Sequence, residues 1–213
     1  MSLRSRVLEA LGTVYDPELD EPVTTLGFVG SLVVAGGEVA VRLRLPTPQC
    51  APNFAFLMAA DTRRAVLSVP GVRSVSVVLE DHYTGEEINA AVAGGGGFDD
   101  AFPGESEGPL DALRALFQRK ALLARQSRLL DSPARTLGEL NGPDAERVRA
   151  LRAALGIDAS DDAPAFVAGD GTPVSCNDVR FRRMASLTAL SLETNGGMCR
   201  DLLRVRYGEE MAV

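Results

Sequence analysis

Val7, Leu8, Leu11 and Val14 recur at helical spacing, and the run stops at Asp16-Pro17, where proline disfavours helix in the residue before it. Phe28 to Ala35 is β-branched and apolar, which reads as a strand. The pair Gly36-Gly37 follows, suited to the positive φ angles of a tight hairpin. Val39, Val41, Leu43 and Leu45 then alternate with Glu38, Ala40, Arg42 and Arg44, the pattern of a strand with one buried and one wet face. Pro52 to Leu67 is apolar early and basic at Arg63 and Arg64, as a helix approaching its C-terminus should be. After a turn at Pro70-Gly71, Val75, Val77 and Leu79 alternate as a third strand.

The predicted order is helix, strand, strand, helix, strand. The first two strands make an antiparallel hairpin, and the third is reached by a helical crossover that favours parallel pairing and a right-handed connection. Helices on one sheet face give a small α+β sandwich of two layers over residues 1–93. Residues 94–108, with Gly94-Gly95-Gly96-Gly97, Asp99, Asp100, Pro103 and two glutamates, read as a flexible acidic linker. They do not read as a phosphate loop, because no Gly-Lys-Ser/Thr follows.

Residues 109–213 are predicted to form a mainly helical domain. Leu110, Leu113 and Phe117 begin one apolar stripe that runs on towards Leu130. A second helix opens at Gly142-Pro143, buries Val148, Leu151 and Leu155, and stops at Gly156. Phe166 to Val174 suggests a short hairpin around Gly169-Asp170-Gly171. A third helix spans about 177–194, is interrupted by Asn195-Gly196-Gly197, and resumes from Met198 to Arg206.

Composition narrows the functional classes. The 213 residues carry a net charge of −7, so the basic field that nucleic-acid binding needs is missing. No apolar run approaches the ~20 residues that span a bilayer, and no apolar segment follows the charged start to make a secretory signal. Three cysteines, with no C-x-x-C pair, suit a reducing cytoplasm and argue against a zinc knuckle or a ferredoxin-type cluster. A single histidine, and no Gly-x-Ser-x-Gly, His-Glu-x-x-His or Gly-x-Gly-x-x-Gly, leave little material for a hydrolase or dehydrogenase; the expectation is a protein that is not an enzyme.

Cys50 is the most informative residue. It lies in Leu45-Pro46-Thr47-Pro48-Gln49-Cys50-Ala51-Pro52, leaving a strand and entering a helix, where the helix dipole and free N–H groups favour the thiolate that attacks electrophiles and binds metals. The plain alternative is a small buried cysteine. Asp16, Glu18, Asp20 and Glu21 form a carboxylate cluster, ordinarily a solvated turn and otherwise a set of supporting partners for a metal or thiol. His82, in Asp81-His82-Tyr83-Thr84-Gly85, is expected on the surface, with ligation or proton transfer as its functional alternative. Cys199, next to Gly196-Gly197, is a candidate ligand whose plain reading is a buried helix thiol, and Cys176 has no nearby partner in sequence.

Four separated signatures occur in order: Val7 to Leu11 through Asp16-Pro17-Glu18-Leu19, Leu26-Gly27-Phe28-Val29, Thr47-Pro48-Gln49-Cys50, and Val69-Pro70-Gly71-Val72. Together they resemble the SufT/PaaD-like iron–sulfur cluster assembly family over residues 3 to 92. The resemblance implies a matching α+β fold and a role in assembling or delivering iron–sulfur or related metal centres. It places the family's motif cysteine on Cys50, with Thr47 in the same motif, and the Asp-Pro-Glu on Asp16, Pro17 and Glu18. The family's cysteine is commonly preceded by Gly and followed by Pro, whereas here the sequence reads Gln49-Cys50-Ala51-Pro52. Members accompanying multicomponent oxygenases imply a client metalloenzyme of that kind.

The expectation is therefore a cytoplasmic maturation factor in which Cys50 holds iron or an iron–sulfur cluster transiently. One cysteine cannot complete a four-ligand cluster site, so a second copy of the chain or a partner must supply the rest. A metal-free adaptor or chaperone for a client enzyme, and an enzyme with a nucleophilic Cys50, are the alternatives the residues leave open.

Overall fold

The protein is described by a computed structural model covering residues 1–104 and 110–208. In chain order its elements are α1 (Leu3–Leu11), β1 (Val29–Ala35), β2 (Glu38–Arg44), α2 (Pro52–Leu67), β3 (Ser74–Glu80), α3 (Gly85–Gly94), α4 (Phe98–Ala101), α5 (Leu110–Ser127), α6 (Pro143–Ala154) and α7 (Val179–Tyr207). A single 3-10 turn, Leu137–Glu139, lies between α5 and α6. Two compact units result. The first takes the described residues up to Leu110 together with those from Gly196 on, and the second is Asp111–Asn195.

The first unit is built on a three-stranded sheet in the order β1-β2-β3. β1 and β2 pair antiparallel through Gly36 and Gly37, whose φ angles of 54° and 93° suit a two-residue hairpin turn. β2 and β3 pair parallel, with Val41 opposite Val77 and Leu43 opposite Leu79. The alternation foreseen in β2 holds: Val39, Val41 and Leu43 are buried, while Glu38, Ala40 and Arg42 are exposed. The register slips between Val29 and Ser31, and the extra residue is Gly30, where a Cβ would stand 2.7 Å from Arg44 Cδ. Val7 and Leu11 of α1, Phe56 and Val66 of α2, and Ile88 and Val92 of α3 share one core with the sheet.

Two departures from the sequence reading concern this unit. The stretch from Gly94 does not behave as a linker as far as residue 104. Gly95 caps α3 in the left-handed conformation at φ 72°, and Phe102 is buried in the core. Phe98 stacks between Phe56 and Phe102, with ring centroids 5.6 Å and 4.8 Å away. Residues 105–108 of the expected linker lie outside the described residues.

The second departure is at the other end of the chain. α7 runs without a break through Asn195-Gly196-Gly197, and its last part joins the first unit instead of a helical domain of 109–213. Two mid-helix glycines cost about 1 kcal/mol each relative to alanine, an amount that tertiary packing readily overrides. Here Leu203 is buried in the first core, and a Cβ at Gly196 would stand 2.6 Å from Glu21 Oε1, so the glycine admits a close approach.

The second unit gathers Leu122 of α5, Leu137 and Leu140, Val148 and Leu151 of α6, Phe166, and Phe181 and Ala185 of α7. Gln126, fully buried, takes the place of a neighbouring strand: its Nε2 donates to Val167 O at 2.9 Å and its Oε1 accepts from Val167 N at 2.8 Å. Val167 and Pro173 form an antiparallel bridge at the expected hairpin. Among the described residues no helix is long and apolar enough to cross a membrane.

Candidate functional site

Parallel pairing places the C-terminal ends of β2 and β3 side by side, Arg44 opposite Glu80. The loops leaving those ends, 45–51 and 81–84, therefore emerge at one edge of the sheet. Cys50 is on the first loop and His82 on the second. His82 Nε2 lies 2.7 Å from Cys50 O, and Tyr83 N donates to Pro48 O at 3.0 Å.

The tautomer of His82 follows from its other nitrogen. Nδ1 faces the Thr84 N–H at 3.3 Å and the Thr84 hydroxyl at 3.1 Å, so it accepts, and Nε2 carries the proton donated to Cys50 O. Burial holds His82 below its ordinary pKa, with the Arg206 guanidinium adding to that effect against the pull of the Cys50 carbonyl. A half-buried histidine with both nitrogens engaged replaces the surface histidine expected from sequence. His82→Ala should loosen the Cys50 loop by about 1 kcal/mol, the worth of one net hydrogen bond, seen as faster alkylation of Cys50. His82→Gln, which retains a donor near the Nε2 position, should restore most of the protection; equal rates in both variants would contradict this latch.

Cys50 is half-buried and immediately precedes Ala51, the N-cap of α2, which has no side-chain cap. Pro52 occupies the first helical turn, where its missing N–H costs nothing. Thr47 Oγ1 is 3.5 Å from Cys50 Sγ and accepts from Gln49 N at 3.3 Å, fixing the loop around the thiol.

The carboxylate cluster forms the expected turn, capped by Asp16, but is solvated only in part. Asp16 and Asp20 are buried, and Asp16 Oδ1 accepts from Glu18 N at 2.8 Å and Leu19 N at 2.9 Å. Burial raises the Asp16 pKa to about 6 against those two hydrogen bonds, with Glu18 and Glu21 adding smaller upward pushes. Glu18 itself is exposed.

Cys199 is half-buried on α7 and packs against the same core as Cys50. Burial pushes its thiol up to about 11, followed by the negative fields of Asp16, Cys50 and Glu18. Cys50, Cys199, Asp16, Glu18, Thr47 and His82 thus all belong to the first unit, whereas Cys176 belongs to the second. Among the described residues no group of three or more His, Cys, Asp and Glu could by itself hold a metal ion. Sequence reasoning missed Arg200, Arg206 and Tyr207, which bond to Glu21, Leu45 O and Asp81; pairings this distant in sequence leave no local signal.

Residues 4–77 match the family described as iron–sulfur cluster assembly protein. An "Fe-S protein maturation auxiliary factor" of Porphyromonas gingivalis is 39% identical over 74 residues, covering 34% of this chain and 69% of that protein. The chain belongs to the iron–sulfur cluster assembly protein family. A protein of Methanocaldococcus jannaschii is 33% identical over 90 residues, 42% of this chain and 93% of that protein. An "Iron-sulfur cluster carrier protein" of Deinococcus radiodurans is 36% identical over 75 residues, 35% of this chain and 21% of that protein. The chain thus spans about a fifth of the length of the carrier proteins it matches. The assembly-family match ends within β3 at residue 77, so the His82 loop, α3 and the last part of α7 lie beyond it.

Proposed function

We propose that this chain is an iron–sulfur cluster maturation factor whose Cys50 holds a cluster, or the iron destined for one, on its way to a client apoprotein. The observation that carries the reading is the coincidence of the family's motif cysteine with a loop held on both sides, by Thr47 at the thiol and by His82 at the carbonyl. A thiol that is reachable yet fixed in position suits a carrier, which must bind cargo and release it. Iron and iron–sulfur clusters prefer thiolate donors, and Cys50 gives up its thiol proton to solvent as the bond to iron forms.

The cluster is cargo here, so the chain acts as a carrier and not as a catalyst. A multicomponent oxygenase is the client implied by the SufT/PaaD-like resemblance, in the cytoplasm, with a second copy of the chain supplying ligands that one chain lacks.

Anaerobic reconstitution with iron and sulfide, read by visible absorption and iron analysis, tests the reading. A chromophore and bound iron are expected in the wild type and in Cys176→Ala, and their loss in Cys50→Ala. Equal iron and absorption in Cys50→Ala and wild type would overturn it, as would no uptake by any of the three.

A further inference from the structure

The end of α7 is fastened to both loops of the site. Arg200 Nη1 meets Glu21 Oε2 at 2.6 Å, on the segment that begins with Asp16. Arg206 donates to Leu45 O at 3.1 Å and to Asp81 O at 2.6 Å, the first residues of the Cys50 and His82 loops. Tyr207 Oη donates to Asp81 Oδ2 at 3.1 Å, and the Arg44 guanidinium lies 5.0 Å from the centre of its ring. Leu203 closes over Gly27, where a Cβ would stand 3.3 Å from Leu203 Cδ2.

Cys199 falls three residues after Gly196 and four before Leu203, so it shares their helix face, the face turned to the core. That face carries it to the core that Cys50 also packs against. Two thiols from distant parts of the chain thus pack against one core, and the helix end that carries Cys199 is tied through Arg206 to Leu45 O, at the start of the Cys50 loop.

We propose that Cys50 and Cys199 form a two-thiol site for a thiophilic metal cargo, the second thiol being delivered to the family's motif loop by the end of α7. The proposal rests on the reading of Cys50 as the cargo ligand and adds a donor from outside the family-matched segment. On binding, each thiol loses its proton to solvent as its sulfur–metal bond forms, and no electron changes hands. Two donors leave positions open for the cargo's own sulfides or for a second copy. Two chains would supply four thiolates, the number that completes a cluster site.

Cadmium(II), a soft ion with a thiolate charge-transfer band, tests the pair without iron–sulfur chemistry. The full chain is titrated anaerobically in a non-thiol reductant, with affinity measured by chelator competition. The wild type and Cys176→Ser are expected to show the band of two thiolates per site. Cys50→Ser and Cys199→Ser should each lose about half of it. Removal of a direct donor should cost at least as much as removal of an outer partner, about 100-fold in affinity. Arg200→Ala with Arg206→Ala keeps both thiols and loosens the segment, and should weaken binding at least about tenfold.

A wild-type band and affinity in Cys199→Ser, no cadmium uptake by the wild type, or unchanged affinity in the double arginine variant would each overturn the proposal. Cluster reconstitution that depends on Cys50 but not on Cys199 would leave the maturation reading standing without it. A two-thiol cadmium site in a chain that takes up no cluster would do the reverse.

Discussion

Replacing Arg152 by methionine is expected to destabilise the second unit by about 2–6 kcal/mol, the cost of leaving two buried carbonyl acceptors without their donor. Arg152 has no exposed surface and, among the described residues, bonds to backbone carbonyls and to no carboxylate. Its Nη1 donates to Pro164 O at 2.8 Å, with a longer contact to Asp158 O, and its Nη2 donates to Ala165 O at 2.7 Å. One side chain on α6 thus gathers the carbonyls of the segment that leads into Phe166 and Val167, residues of the second core. Burial lowers the Arg152 pKa, against the pull of Asp158, yet a guanidinium stays charged throughout the accessible range.

Methionine removes the cost of burying the charge and preserves much of the volume, but strands acceptors at about 1–3 kcal/mol each. The carbonyl loss wins because Pro164 O and Ala165 O would both need new donors in a packed interior. Lysine, a single point of donation, should recover only part of the loss. Hydrogen exchange in the second unit, followed with urea unfolding, reads the effect. A methionine variant within about 1 kcal/mol of wild type would show that water replaces the guanidinium.

The elements written in local chemistry were legible in the sequence. α2 begins at Pro52 and ends at Leu67 as read, because proline suits the first turn and basic residues suit the last. β2 was equally plain, since a strand with one wet face alternates strictly. α3 went unread although its signals were present: Ile88, Ala91 and Val92 at helical spacing, Glu86 and Glu87 in the first turn, and Gly95 as the cap. The four glycines drew residues 94–104 towards a linker, and the aromatic stacking that holds Phe98 and Phe102 is tertiary.

Of the candidate site, the placement of Cys50 between strand and helix was legible. The latch from His82 was within reach in principle, since parallel strands bring successive loops to one edge. The continuity of α7 was not. Asn195-Gly196-Gly197 argues locally for a break, and only contacts to Glu21, Gly27, Leu45 and Asp81 outweigh it. For the same reason no reading of spacing could have brought Cys199 to the core shared with Cys50.

Asp16→Asn should stabilise the first unit at neutral pH and leave it unchanged near pH 3.5. Asp16 is buried, with Glu18 and Glu21 nearby and its charge felt at Cys199, and its pKa stands at about 6 against a reference of 3.8. Between those values the folded state holds more protons than the unfolded, so stability falls as pH rises. Below 3.8 both states are protonated and no penalty exists; above about 6 it is complete, and the difference corresponds to about 3 kcal/mol. Asparagine keeps an oxygen to accept from Glu18 N and Leu19 N while burying no charge. A gain of up to about 3 kcal/mol at pH 7.5, vanishing near pH 3.5, should appear in urea unfolding at the two values. An equal effect at both would mean that the charge of Asp16 is not the cause. The wild type keeps a carboxylate that weakens its own fold, and such costs are characteristic of sites retained for binding. Under the proposed maturation role, the more stable asparagine variant should hold cationic cargo less tightly, because it lacks the carboxylate whose charge adds to the upward push on the Cys199 thiol.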